Sequence, residues 1–377
     1  MFKKKSEKKR FIIVGSGWRS LCYVRIAKAL PHVFDLCAML CRTEEKAERM
    51  ARENDIYTTT SIEECKAMKP DFVVVVVNKT SIAEVSKEWM GYGFTVLCET
   101  PAALDTDTLN ELWAKHRAGG RLMVAEQYIY DPVYQTQLQL LGRGLIGEPS
   151  FLHLSLAHEY HGASLMRAYL GVDAGTAFTV SAKTYAFPTV ETMSRYEKFT
   201  DGRVAEKKRT IGTFEFADGK VAVYEFDSEQ YRSPIRNNYV KLQGVRGEMK
   251  DNAFYWLDEQ NEPRKAQLVA SEVQFTRDSD NPNLQVANEC EEIRLVQDGA
   301  PDEVVYEAPF GLCRMNKGET AVAELMVQAA EYDREQAGQN LRDALQDAYM
   351  AILMKQAVET GEAVASKVQS WHEGQKV

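Results

Sequence analysis

Strand-like and helix-like segments alternate over the first 130 residues of this 377-residue chain. Apolar runs such as Phe11–Val14, Phe34–Leu40 and Asp71–Val77 are separated by amphipathic segments. Parallel strands need crossover helices between them, and a strand that is apolar throughout is typical of a sheet covered on both faces. The pattern therefore predicts an α/β domain with a doubly wound parallel sheet.

Several polar residues at the starts of these helical segments predict where the helices begin. Thr43 precedes two glutamates, which favour the positive end of a helix dipole. Ser61 and Ser81 are each followed three residues later by a glutamate. That spacing predicts a capping box at both places.

The hydrophobic period changes to two after residue 150. Strands are predicted at Phe151–Ala157, Phe178–Ala186, Thr210–Phe216, Val221–Phe226 and Tyr239–Gln243, with Asp218-Gly219 as a hairpin turn. Because no crossover helices separate them, we expect a mainly antiparallel sheet.

Two helices, Glu319–Arg334 and Leu341–Glu359, are predicted to end the chain, whereas residues 245–312 are polar and predict little regular structure. We therefore expect two domains: residues 1–130 with the parallel sheet, and residues 131–377 as an α+β domain that holds a substrate and forms subunit contacts.

Charge and composition exclude several classes of protein. The net charge is −9, which disfavours non-specific binding to nucleic acid or to an anionic membrane. Only Phe11–Val14 follows the basic first residues before a glycine, which is too short for a signal peptide. Seven cysteines are scattered without metal-ligand spacing, as expected for reduced thiols. We expect a cytoplasmic protein with no bound metal.

A glycine-rich turn follows the first predicted strand and opens the first helix. It reads Gly15-Ser16-Gly17-Trp18-Arg19-Ser20. In this context the first glycine permits a tight turn, the second lets the backbone approach a diphosphate, and the helix N-terminus favours its charge. The turn predicts a Rossmann dinucleotide site, with a ligand-free glycine turn as the alternative.

Residues after the later strands would complete that site, since parallel strands end at one edge. They are Asn78, Glu99, Thr100 and Gln127. After the second strand the chain carries Arg42 and Thr43 in place of the acid that holds ribose hydroxyls in NAD sites. A guanidinium and a hydroxyl favour a 2′-phosphate, so we expect NADP in preference to NAD. The alternative is that Arg42 stacks on adenine and Thr43 only caps a helix.

The chain resembles the glucose–fructose oxidoreductase and inositol dehydrogenase family, known as Gfo/Idh/MocA. The likeness extends over essentially the whole chain. It rests on the glycine turn, Val73–Gly93, Val96–Pro101, Val124–Tyr128, Gly142–Gly147 and His161–Gly171. It implies a Rossmann domain and an α+β domain, a nicotinamide cofactor, and homodimers or homotetramers.

Three positions depart from that family's pattern. The resemblance implies Glu-Lys-Pro where this chain has Glu99-Thr100-Pro101, and threonine cannot replace the lysine that handles a substrate proton. An aspartate is implied at Ala157, and a histidine at Ile82. The fold and cofactor predictions are unaffected, but the usual proton chemistry needs other residues.

The segment His158-Glu159-Tyr160-His161 is the densest group of candidate acid–base residues. His161 is the first choice for proton transfer, because the ordinary pKa of histidine lies near neutrality. Tyr160 and His158 are further catalytic candidates. Strand alternation would direct Glu159 and His161 to one side and His158 and Tyr160 to the other.

Other candidate site residues lie outside this segment. Glu126 and Gln127 are expected near the nicotinamide, and Lys183 and Arg236, on predicted strands, are candidates for the missing cation. The alternative for Lys183 and Arg236 is that they are solvent-exposed side chains without a role in the site.

The sequence thus predicts an NAD(P)-dependent dehydrogenase of a sugar, sugar derivative or cyclitol. Two other functions stay open. One is a redox-neutral glycoside lyase or hydrolase that uses the cofactor transiently. The other is a dinucleotide-binding sensor without catalysis, which the threonine at position 100 suggests.

Overall fold

The computed structural model describes residues 8–279 and 281–372. Contacts divide the chain into two compact units. The first contains the chain up to Tyr130 together with Cys313–Leu345. The second contains Asp131–Leu312 and the chain from Gln346 onwards.

The first unit is built on a parallel sheet of six strands. Its strands are Lys9–Val14 (β1), Phe34–Leu40 (β2), Thr58–Thr59 (β3), Phe72–Val75 (β4), Thr95–Cys98 (β5) and Arg121–Val124 (β6). They lie in the order β3-β2-β1-β4-β5-β6, which is the doubly wound Rossmann order. All four residues of β4 are buried, as expected for a strand covered on both faces. The predicted α/β fold is confirmed.

Five helices connect these strands. They are Ser20–Ala29 (α1), Glu44–Asn54 (α2), Ile62–Ala67 (α3), Ile82–Gly91 (α4) and Thr106–Arg117 (α5). Thr43 and Ser61 cap α2 and α3, because each side chain accepts a backbone N–H three residues on. The cap predicted at Ser81 was wrong: its backbone is already in the α region and its side chain makes no capping bond.

Residues Cys313–Leu345 join the first unit, although the sequence placed them in the second domain. They include Lys317–Glu331 (α9), which packs on α1, β1 and β5. Glu319 of α9 is 2% exposed and accepts a hydrogen bond from Nε of Arg25 at 2.6 Å. An apolar helix face packs where the complementary surface is, and sequence order does not reveal that.

The second unit is built on a mixed sheet of eleven strands. Its strands are Pro149–Ser155 (β7), Phe178–Val190 (β8), Val204–Phe216 (β9), Val221–Asp227 (β10), Tyr239–Gly244 (β11), Gly247–Lys250 (β12), Ala253–Leu257 (β13), Pro263–Thr276 (β14), Val286–Gln297 (β15), Glu303–Glu307 (β16) and Val364–Ala365 (β17). Only β7 and β10 pair in parallel among these described strands. The mainly antiparallel sheet predicted from the period of two is confirmed.

Five strands lie within residues 245–312, from which the sequence predicted little. β14 shows the reason: Ala266, Leu268 and Phe275 are buried, while most of its other side chains are polar and at least partly exposed. A long strand with so few buried positions lacks the alternation by which strands are recognised.

Helices complete the second unit. They are Pro132–Gly142 (α6), Glu159–Leu170 (α7), Pro282–Gln285 (α8) and the last turns of Arg334–Thr360 (α10).

Ala222, Tyr224 and Phe226 of β10 are 0%, 2% and 7% exposed. These three therefore form the inner face of the strand. In the part of the chain that is described, no helix combines the length and apolarity needed to cross a membrane.

Candidate functional site

The turn after β1 has the backbone that a dinucleotide site needs. Gly15 has φ +113°, a left-handed conformation that L side chains rarely adopt. A Cβ added there would lie 2.1 Å from the carbonyl oxygen of Val76. No side chain fits at position 15, so this glycine is required by the fold itself.

Gly17 serves a different purpose in the same turn. A Cβ added there meets no atom within 4 Å. The position faces open space, which lets a ligand approach the backbone closely. Ser20, the last residue of the glycine-rich turn, is fully buried, and its hydroxyl donates to the carbonyl of Gly17 at 2.5 Å. Serine is thus small enough for the helix–strand contact and also fixes the turn.

Arg19 in this turn forms an ion pair with Glu99, which follows β5. Nε of Arg19 donates to Oε1 of Glu99 at 2.6 Å, and the hydroxyl of Tyr23 donates to the same oxygen at 2.7 Å. Burial alone would lower the pKa of Arg19, but the charge of Glu99 raises it well above its ordinary value. Burial, and then Glu99, raise the pKa of Tyr23. The group therefore keeps a permanent cation at the start of α1.

Two polar atoms at this edge of the sheet are buried without a hydrogen-bond partner among the described residues. They are Nη2 of Arg19 and Oε1 of Gln127. Buried polar groups are usually satisfied, so each indicates a missing partner. With the open space at Gly17, they fit a dinucleotide bound along this edge.

The structure gathers the predicted cofactor residues at the carboxyl ends of the strands. Asn78 follows β4 and is exposed, and its side chain accepts a hydrogen bond from Thr80 at 2.6 Å. Thr100 is half-buried beyond β5 and precedes a cis peptide to Pro101. Ser16 and Trp18 lie in the glycine turn.

Arg42 and Thr43 follow β2 at the same edge. Thr43 caps α2 by accepting the backbone N–H of Lys46 at 3.3 Å, so it has the helix-capping role that the sequence predicted. The Arg42 side chain is exposed and makes no ion pair or hydrogen bond within the described ranges. A guanidinium in this position is available to an anion.

Glu126 is a buried carboxyl group two residues beyond β6. It is 5% exposed and accepts the backbone N–H of Tyr128 at 3.2 Å. Burial raises its pKa to about 8, although that hydrogen bond opposes the shift. A carboxyl group that titrates near neutrality at the end of a Rossmann strand is a candidate acid–base group.

In the second unit, the rings of His158, Tyr160 and His161 contact one another at the start of α7. Their centroids are 4.5–5.0 Å apart. The sequence had directed His158 and Tyr160 away from His161, which was wrong, because α7 begins at Glu159 and strand alternation stops before it. The three predicted catalytic residues therefore form one cluster.

The backbone beside this cluster is strained on both sides of His158. Ala157 has φ +57° and Glu159 has φ +42°, and each such residue costs on the order of 1–3 kcal/mol. One hydroxyl holds both: Tyr224 donates to the carbonyl of Ala157 and accepts the N–H of Glu159, each at 2.9 Å. A Cβ on Gly162 would lie 2.4 Å from the Tyr224 ring, so Gly162 lets that ring reach the turn.

A cavity of about 550 Å³ opens beside His158 and Glu159, within the second unit. Its polar lining includes the hydroxyls of Thr184, Thr210 and Ser228, and its apolar lining includes Phe226 and Met354. This volume lies within the usual range for small-molecule sites.

The cations at this cavity are Lys208 and Lys355, and the sequence did not single them out. Lys183 lies on β8 with its side chain exposed, and Arg236 lies in the loop before β11, so its predicted strand was wrong. Neither lines the cavity. Tyr224 and Tyr231 were also missed as site residues, since nothing local marks them.

Within residues 8–279 and 281–372, no three histidine, cysteine, aspartate or glutamate side chains are grouped so that they could hold a metal ion.

Residues 9–126 match a family model described as the oxidoreductase family with an NAD-binding Rossmann fold, GFO_IDH_MocA. No protein of curated function matches the chain. Among solved structures, GenD2 from gentamicin A biosynthesis in complex with NAD is similar, with 16% identity, a TM-score of 0.64, and 97% of this chain and 98% of that one covered.

Two further structures share the fold. One is scyllo-inositol dehydrogenase from Lactobacillus casei, with 14% identity, a TM-score of 0.61, and coverage of 96% and 99%. The other is an oxidoreductase from Agrobacterium radiobacter in complex with NAD⁺, L-tartaric acid and magnesium, with 13% identity, a TM-score of 0.62, and coverage of 95% and 98%. At these identities the likeness shows a common two-part fold.

Proposed function

We propose that this chain belongs to the Gfo/Idh/MocA family of oxidoreductases, because residues 9–126 match the model of that family's NAD-binding domain. Within that family, we propose a dehydrogenase of a polyhydroxylated small molecule: a sugar, a sugar derivative or a cyclitol. The observation that carries this proposal is the ring cluster of His158, Tyr160 and His161 beside the hydroxyl-lined cavity. Proton-transfer groups next to a small-molecule cavity are what oxidation of an alcohol requires.

The dinucleotide would be held by the carboxyl edge of the first sheet. The backbone at Gly15, Ser16 and Gly17 and the N-terminus of α1 suit a diphosphate, and the buried atoms of Arg19 and Gln127 offer further hydrogen bonds. When bound, the nicotinamide supplies the hydride acceptor or donor.

We further propose that the cofactor is NADP in preference to NAD. The support is the exposed guanidinium of Arg42 and the absence of an acid at that position. A carboxylate there would repel a 2′-phosphate, whereas a guanidinium can bind it through two hydrogen bonds.

The cavity lining suits a molecule with several hydroxyl groups. Thr184 and Thr210 share a hydrogen bond at 3.0 Å, and the exposed carboxylate of Glu159 is an acceptor for hydroxyls. Phe226 supplies an aromatic face against which the C–H side of a sugar ring can pack.

His161 would receive the hydroxyl proton of the substrate. It is 5% exposed, and the Tyr160 ring holds it edge-on at 4.5 Å. A fixed imidazole contributes about 10²–10⁴ in rate as an acid–base catalyst. Thr100 cannot perform this task, because its hydroxyl does not ionise at neutral pH.

A substrate panel tests this function. Purified protein is incubated with NAD or NADP and a series of aldoses, glycosides, aldonates and inositols, and absorbance is followed at the nicotinamide wavelength. We expect net reduction of NADP with at least one polyol. Release of an aglycone without net cofactor reduction would instead support the lyase or hydrolase, and tight dinucleotide binding without any turnover would support the sensor.

A further inference from the structure

His158 lies between two tyrosine hydroxyls from different parts of the second unit. Its Nδ1 is 2.5 Å from the hydroxyl of Tyr231, and its Nε2 is 3.0 Å from that of Tyr160. Both ring nitrogens therefore have a tyrosine partner at hydrogen-bond distance. The result is a continuous chain of hydrogen bonds, Tyr231–His158–Tyr160.

A backbone contact places the Tyr231 hydroxyl beside His158. The N–H of His158 donates to the Tyr231 oxygen at 3.1 Å, and the same hydroxyl can donate its own proton to Nδ1. In that arrangement the neutral imidazole carries its proton on Nε2 and donates it to Tyr160. In the reverse arrangement it carries the proton on Nδ1 and donates it to Tyr231.

The two ends of the chain differ in their access to solvent. Tyr231 is 38% exposed, whereas Tyr160 is 6% exposed and packs on His161. The chain thus runs from water to the buried ring cluster.

The turn that carries His158 is held rigidly, as proton transfer along fixed hydrogen bonds requires. Tyr224 bonds to both strained neighbours, Ala157 and Glu159. Strained backbone of this kind persists only where the surroundings determine it, and it concentrates at functional sites.

We propose that Tyr231, His158 and Tyr160 form a proton relay between solvent and the ring cluster. The relay depends on the proposed function in one respect only: the proposed reaction identifies the substrate group that takes up or releases the proton. When a substrate carbonyl is reduced, His161 gives a proton to the new alkoxide and takes one from Tyr160, which takes the Nε2 proton of His158. His158 takes the Tyr231 proton on Nδ1, and Tyr231 takes one from water. When a hydroxyl is oxidised, every transfer runs in the opposite direction, and one proton leaves to water.

The relay can be tested in the protein alone by nuclear magnetic resonance with ¹⁵N-labelled histidine, with His158 assigned from the spectrum of His158→Asn. We expect the imidazole proton of His158 to exchange with water through Tyr231. In Tyr231→Phe that exchange should slow at least about tenfold, because it then needs local opening of the structure.

A merely structural role predicts the opposite change. Losing a structural hydrogen bond would loosen the turn and leave the exchange unchanged or faster. Either result would overturn the relay.

Tyr239 offers a matched control, because its hydroxyl lies 2.9 Å from Nε2 of His153 in the same sheet. Tyr239→Phe should change the His153 signal and leave exchange at His158 as in the wild type.

If Tyr231→Phe does not fold, 3-fluorotyrosine at position 231 keeps the hydroxyl while making it more acidic. Exchange at His158 should then change from the wild-type rate, and an unaltered rate would count against the relay.

Turnover provides a second readout once the substrate panel has given an active pair. Tyr231→Phe should lower kcat by about tenfold or more and leave dinucleotide affinity unchanged. If no substrate in the panel turns over, the proposed function fails while the exchange measurement still decides the relay.

Discussion

The glycine turn of the first unit and the ring cluster of the second are assembled in different ways. The turn is made of consecutive residues, and its proposed ligand would meet mainly backbone. The cluster joins the turn at His158 to Tyr224 and Tyr231, which lie 65 to 73 positions from their partners along the chain. The hydroxyls of these two tyrosines bond to the His158 ring and to the backbone of residues 157–159.

This difference decides how each region tolerates change. Backbone conformation is set by which residue types can adopt it, so one extra methyl group at Gly15 damages the site. The ring cluster depends on hydroxyl and imidazole groups, so changes that remove a proton donor should alter its chemistry before they alter the fold.

The largest effect is expected from Gly15→Ala. A left-handed φ and a Cβ 2.1 Å from Val76 make the variant strained and overpacked, which should lower the free energy of unfolding by about 3 kcal/mol or more and abolish dinucleotide binding. Thermal unfolding and calorimetry measure both quantities.

Gly17→Ala is the matched control in the same turn. It has room for a methyl group, so it should unfold like the wild type while binding the dinucleotide about tenfold more weakly. Wild-type stability of Gly15→Ala would contradict the steric argument.

The second largest effect is expected in the ring cluster. His161→Ala should reduce turnover at least about tenfold, because it removes the acid–base group, and should leave cofactor affinity unaltered. Steady-state kinetics and calorimetry separate the two. A rate equal to that of the wild type would remove His161 from the mechanism.

Glu126 links the first unit to pH. Its pKa is raised from 4.5 to about 8 in the folded protein, so between these pH values the folded state holds a proton that the unfolded state has lost. The contribution of the protonated Glu126 to the free energy of unfolding is therefore complete below pH 4.5. It is lost as the pH rises through about 8.

The stability of Glu126→Gln relative to the wild type should therefore increase by about 4 kcal/mol between pH 5 and pH 9. Urea unfolding at several pH values measures this change. Glu48→Gln, an exposed position on α2, is the control and should show no such slope. Parallel pH profiles for the wild type and Glu126→Gln would show that Glu126 titrates normally.

The smallest effect concerns cofactor choice. Arg42→Ala should shift the ratio of the NADP and NAD dissociation constants towards NAD by about tenfold, since one charge-assisted contact is lost. Arg49→Ala, also exposed on α2, should leave the ratio unchanged. A clear preference of the wild type for NAD would refute the role of Arg42.

The local sequence pattern was sufficient to predict most secondary structure of the first unit and part of that of the second. The alternation of elements gave the parallel sheet, and Thr43 and Ser61 cap their helices as expected. The strands of residues 245–312 were missed, because most of their side chains are at least partly exposed. Three catalytic candidates were found by type, but their orientation was wrong because the start of α7 decides it.

The sequence alone determined the Rossmann turn, because Gly15 and Gly17 act through backbone conformation that neighbouring residues specify. Only the tertiary structure decided that Tyr224 and Tyr231 converge on His158, that Glu126 is buried deeply enough to titrate near neutrality, and that α9 belongs to the first unit. Each of these depends on contacts between segments far apart in the chain, and no short-range pattern encodes them.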